Sequence, residues 1–101
     1  MSQPVTFAAF QKLIHDRYYK TDSARGTPGT FMWLMEEVGE LATALHNNAP
    51  GKRPSEEERA NLDEEFADVI AWLTTLANIN GVDLEKALQK YTVVGVEGVK
   101  D

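Results

Sequence analysis

Two short acidic patterns stand out along the 101 residues, Glu36-Glu37-x-x-Glu40 and Glu64-Glu65-x-x-Asp68. In each, two carboxylates sit three residues apart, and on a helix that spacing places both on one face. Four carboxylates brought together repel one another and raise one another's pKa, so the ionised cluster requires cations. An all-oxygen donor set of this size suits Mg2+, with Mn2+ as a substitute. Magnesium commonly shares its coordination between a few carboxylates, water and substrate phosphates, which points to a polyphosphate ligand. Taken singly, each pattern is better read as a solvated helix face. Their repetition is what makes the pair informative.

The segments that must position these acids read as helices. Thr6 can cap a first helix to about Tyr19 with Phe7, Phe10, Ile14 and Tyr18 on its apolar face. Thr21 to Gly29 collects turn-forming residues and predicts a loop. Thr30 is placed to cap a second helix to about Asn47, with Phe31, Leu34, Val38, Leu41 and Leu45 as one stripe. Ser55 and Glu58 form a capping box for a third helix carrying Leu62, Phe66, Val69, Leu73 and Leu76, which ends at Asn80-Gly81. Asp83 can cap a short fourth helix through Tyr91, and an irregular tail follows from about residue 92. The expected fold is a single all-α domain over residues 1–101, an antiparallel four-helix bundle.

At about 100° per residue, Glu37 and Glu40 fall about 70° and 130° from the centre of the second helix's stripe, and Glu65 and Asp68 about 50° and 110° from that of the third, in the same rotational sense. Antiparallel helices packed stripe to stripe bring such flanks to one side. The four acids are therefore expected to converge.

Charge and composition remove several other functions. Ten Lys and Arg against 16 Asp and Glu give a net charge of -6, unfavourable for binding nucleic acid. No cysteine is present, which excludes disulfides, thiolate zinc sites and a thiol nucleophile. No apolar run is long enough to span a membrane, and Met1-Ser2-Gln3-Pro4 does not resemble a secretion signal, so a soluble, cytoplasmic protein is expected. His15 and His46 lack the neighbours of a di-iron or zincin site and read as surface residues. Neither G-T-P-G nor P-G-K-R is a phosphate-binding loop, and Arg25 reads as a mobile surface residue.

The segments F-M-W-L-M-E-E-V-G-E-L and E-E-F-A-D-V-I-A-W-L together resemble the MazG-like nucleotide pyrophosphohydrolases of the all-α NTP pyrophosphatase superfamily, over about Phe31 to Tyr91. The resemblance implies hydrolysis of a nucleoside triphosphate between the α and β phosphates, releasing a monophosphate and pyrophosphate. By position it makes Glu37, Glu40, Glu65 and Asp68 the Mg2+ ligands, and Glu36 the acid that orients or deprotonates the attacking water. Lys90 matches a basic position of the family, and Lys86 is a weaker candidate for the same role toward phosphate. Trp33 could stack on a nucleobase, although an aromatic at this spacing is more often a core or subunit-interface residue, and Trp72 is expected in the core. After Lys90 the chain departs from the family pattern with Thr92-Val93-Val94-Gly95. The family builds pockets between subunits, so a dimer or tetramer is expected. The alternative is a non-catalytic helical interaction module that binds a divalent cation.

Overall fold

Thr6 opens the first element as its sequence position predicts. Its hydroxyl accepts a hydrogen bond from the Ala9 amide at 3.0 Å, satisfying a donor that the helix start leaves free. In the computed structural model, which describes residues 4–93, helix α1 then runs Phe7–Asn47. It is not a single rod, because 41 residues of straight helix would span about 62 Å, and the longest dimension of the molecule is 41 Å. The break lies at Gly26, whose φ of +80° and ψ of 176° suit a residue without a Cβ. Pro28 follows in the first turn of the second arm, where a missing N–H leaves no hydrogen bond unmade.

The loop expected over Thr21–Gly29 is thus confined to one residue. Asp22, Ser23, Ala24 and Arg25 extend the first arm, and an i, i+3 ion pair of 3.1 Å between Arg25 and Asp22 helps hold them helical. Thr30, expected as a cap, is fully buried inside the second arm. Its hydroxyl oxygen receives Arg25 Nη1 at 3.4 Å.

Helix α2 spans Glu56–Ile79 and begins with the expected reciprocal cap. Ser55 Oγ accepts from the Glu58 amide at 3.1 Å, and Glu58 Oε1 accepts from the Ser55 amide at 2.9 Å. It ends at Asn80, and Gly81 takes the left-handed turn with φ of +67°. Asp83 caps α3, Leu84–Ala87, as expected, but Leu88 interrupts the run and α4, Gln89–Thr92, forms a separate turn. Val93 is extended, and the remainder of the expected irregular tail lies outside the described residues. All regular structure among the described residues is helical, and none of these helices is long and apolar enough to cross a membrane.

The second arm of α1 and α2 lie antiparallel. Asn48 approaches Glu58, Glu37 approaches Glu65 and Trp33 approaches Trp72, so numbers fall along one helix as they rise along the other. Asn48 fixes this register at the turn. Its amide donates both to Ala44 O at 2.8 Å, within α1, and to Glu58 O at 3.1 Å, in α2. Gln11 performs a similar task for the C-terminal turns: Nε2 donates to Val82 O, Oε1 accepts from the Leu84 amide, and its own carbonyl accepts from Asn78 Nδ2.

The helix-helix seam differs from the stripe expected from sequence. On α1 it follows Thr30, Leu34, Glu37, Leu41 and Ala44, and on α2 Leu62, Glu65, Val69, Trp72 and Leu76, all buried or half-buried. Both series advance by alternating steps of three and four, the spacing of helices that pack side by side. Phe31, Val38, Leu45, Phe66 and Leu73 were expected in the same contact, yet each remains substantially exposed, Phe31 and Leu73 by 50%. Each helix therefore carries two apolar lines, and the broad stripe of the sequence is their sum.

Candidate metal centre

Because the seam runs through Glu37 and Glu65, these acids do not sit on a flank as the helical angles predicted. They occupy packing positions between two helices. Asp68, one turn beyond Glu65, stands at the solvent-exposed edge. Glu37, Glu65 and Asp68 each offer an oxygen, and these three oxygens lie within 4.8 Å of one another. Three of the four proposed ligands thus converge.

The electrostatics follow from the placement. Burial pushes the Glu37 carboxyl up to about 7, and the charges of Glu40, Asp68 and Glu65 add to the push. Glu65 is raised for the same reason, burial first and then the charges of Glu40 and Asp68. Glu40 therefore lies within electrostatic reach of both buried acids, although it is itself exposed. Glu37 Oε2 and Glu65 Oε2 are buried without a hydrogen-bond partner. Leaving a carboxylate oxygen in that state costs free energy unless a cation or a proton compensates it. An oxygen-only donor set with buried, unpartnered atoms fits a hard divalent cation.

The remaining sequence candidates are distributed around this cluster. Glu36 points away from the seam and, with Gly29, Met32 and Trp33, borders a surface groove. Trp33 is half-exposed, and its ring stacks on Trp72 with centroids 6.0 Å apart and an interplanar angle of 13°. Both tryptophans sit one turn from the acids, Trp33 before Glu37 and Trp72 after Asp68. Lys86 and Lys90 lie on α3 and α4, which pack beside the first residues of α1. The Lys90 ammonium stands 5.5 Å from the Tyr91 ring centroid. Among the described residues, no contact joins either lysine to the acids. His15 and His46 are exposed, His15 stacking on Tyr19 at 4.3 Å.

One arrangement was missed in the sequence. Arg25, expected to be mobile, is half-buried, bonded to Asp22 and Thr30, with its guanidinium carbon 5.0 Å from the Trp72 ring centroid. Asp22 is buried at 4% exposure, and its Oδ2 has no partner. Their i, i+3 spacing was the available signal, and the turn-rich composition around it concealed it.

A helix pair with clustered carboxylates in its seam and a tryptophan pair one turn away defines an all-helical protein whose acid cluster fits a divalent cation. The MazG nucleotide pyrophosphohydrolase domain model matches residues 27–93, and the chain belongs to this family. The uncharacterized protein YvdC of Bacillus subtilis (strain 168) is 39% identical over 66 residues, 58% of this chain and 62% of that protein. The chain thus spans somewhat less than two thirds of the length of this curated relative.

Proposed function

We propose that the protein hydrolyses nucleoside triphosphates, ribo or deoxy, between the α and β phosphates in a Mg2+-dependent reaction that yields a monophosphate and pyrophosphate. The observation carrying this reading is the pair of buried, partnerless oxygens of Glu37 and Glu65 facing Asp68, in a chain of the MazG family. Glu37, Glu40, Glu65 and Asp68 would hold the ion. Mg2+ held there would offset phosphate charge and acidify water for in-line attack.

The protein's own side chains supply the rest. Glu36 lies outside the buried cluster, on the open side of the second arm, and accepts the proton of the attacking water. Trp33, half-exposed one turn before Glu37, offers an aromatic surface to the nucleoside. Lys90, with Lys86 one turn earlier, neutralises phosphate charge. Since α3 and α4 stand beside the start of α1, that role calls for delivery across a subunit boundary.

The test is product analysis with a panel of NTPs and dNTPs, with and without Mg2+, comparing wild type with Glu36→Gln. Pyrophosphate and monophosphate are the expected products, and the variant should lose about a hundredfold in turnover while binding Mg2+ normally. Release of orthophosphate would reject α-β cleavage. Mg2+ binding without turnover of any nucleotide would favour the non-catalytic module.

The second apolar lines of α1 and α2 support a homo-oligomer, a dimer or tetramer in which further copies complete the helical bundle. Phe31, Val38 and Leu45 repeat every seven residues, as do Phe66 and Leu73, the pattern of a helix-packing seam. Sedimentation at micromolar concentration should give a multiple of 11.3 kDa, and Leu73→Lys should shift the protein toward monomer with its helical content kept. A monomeric wild type would remove this reading.

A further inference from the structure

Beside Trp72 lies a cavity of about 320 Å3 bordered by Ile14, Tyr18, Asp22, Arg25, Trp72 and Thr75. Its volume is in the range of small-ligand sites, and its walls are largely apolar with a few polar groups, as such sites usually are. The first arm of α1 contributes Ile14, Tyr18, Asp22 and Arg25, and α2 contributes the rest. Trp72 and Thr75 follow Asp68 by about 6 Å and 10 Å of helix rise. A nucleotide with its phosphates at the acids can therefore reach this cavity with its base.

The polar groups of the cavity are unequally committed. Arg25 is held by Asp22 Oδ1 at 3.1 Å, by Thr30 Oγ1 at 3.4 Å and by the face of Trp72. Asp22 spends only one of its two oxygens on Arg25. The other, Oδ2, is buried and unpartnered, on a side chain that is itself more than nine-tenths buried. A carboxylate oxygen in this condition is stabilised by a hydrogen-bond donor, which a ligand in the cavity can supply. Oδ2 has almost no accessible surface, so a donor meets it by projecting from its ring and by a small turn of the Asp22 carboxylate toward the cavity.

We propose that Asp22 reads the nucleobase and selects bases that carry an exocyclic amino group where their counterparts carry an oxo group, cytosine over uracil and adenine over hypoxanthine. An amino group projects from the ring and can reach a recessed acceptor. In uracil and hypoxanthine the projecting group at the same position is a carbonyl oxygen, which meets Asp22 Oδ2 acceptor to acceptor and leaves both unsatisfied. Arg25 holds Asp22 in place and is a positioning residue. This inference rests on the nucleotide reading of the site above, and names the base that the site takes.

Trp72 borders the cavity and stacks on Trp33, the other tryptophan of the chain, so their fluorescence reports binding without turnover. Titrations with CMP against UMP, and AMP against IMP, in Mg2+ should show the amino member of at least one pair bound about tenfold tighter or more. Asp22→Asn replaces the accepting oxygen with an amide that either donates or loses its link to Arg25. It should reduce that preference about tenfold or reverse it. Equal affinity within both pairs in the wild type would overturn the proposal, with no variant needed. So would an Asp22→Asn protein that weakens all four ligands equally, the signature of a structural role, or the absence of any fluorescence response to nucleotide. Preferential binding of amino bases with no triphosphate cleaved would reject hydrolysis and leave base selection standing. Cleavage with no base preference would do the reverse.

Discussion

Glu65→Gln will abolish metal-dependent pyrophosphate release, lowering turnover by about a thousandfold or more, the scale of a catalytic ion worth several kcal/mol. Glu65 is the most buried of the four clustered acids, and one of its oxygens has no partner within the protein. Glutamine keeps its size and removes its charge from the helix seam, so the fold should persist or gain stability. Mn2+ binding followed by electron paramagnetic resonance should weaken in parallel with activity. A Glu65→Gln protein that still bound Mn2+ as tightly as wild type would remove Glu65 from the ligand set. The contrast with Glu36→Gln, where turnover falls and metal binding stays, separates holding the ion from moving the proton.

The second large effect concerns stability. Glu37 and Glu65 have folded-state values above the ordinary carboxyl value of 4.5, Glu37 at about 7, because burial and neighbouring carboxylates disfavour their ionised forms. For a carboxyl raised on folding, the protonated form favours the native state. Its contribution is complete below the unfolded value and is lost as pH climbs through the folded one. Metal-free protein should therefore lose thermal stability between about pH 5 and about pH 8, and millimolar Mg2+ should restore about 5 °C or more at the upper end and little at the lower, where protons compete for the same oxygens. Glu37→Gln should flatten the metal-free profile and reduce the response to Mg2+. Differential scanning fluorimetry across this range is sufficient, and a metal-free melting temperature that rose toward pH 8 would contradict the electrostatic account.

Both predictions turn on a feature that was only half legible in the sequence. The i, i+3 acids were readable because their spacing is local, and so were the caps at Thr6, Ser55 and Asp83, each satisfied within three or four residues. The phase of the helices was not. Phe31, Leu34, Val38, Leu41 and Leu45 form one stripe by periodicity, yet only Leu34 and Leu41 face α2. An arc that serves two partners has a centre that belongs to neither, so angles measured from it placed Glu37 and Glu65 on a flank when they lie in the contact. The loop over Thr21–Gly29 failed for a related reason. Turn-forming residues mark where a helix can break, and here one glycine absorbs the whole break while Asp22 and Arg25 pair within the helix. The cavity beyond Trp72 depends on that continuation.

The break at Gly26 also divides the chain according to which length changes it can tolerate. Every residue inserted between Leu34 and Glu37 would turn Thr30 and Leu34 by about 100° about the helix axis relative to the acids, so that the two halves of the seam no longer share one face. Only steps near whole turns, close to seven residues, would return them to register. An insertion before Gly26 leaves their phase untouched, because the glycine does not transmit helical rotation. The family match begins at residue 27, one position after this decoupling point. The second arm and α2 thus form a unit of fixed count, whereas the first arm, with Asp22 and Arg25, can change in length without turning the acids out of the seam.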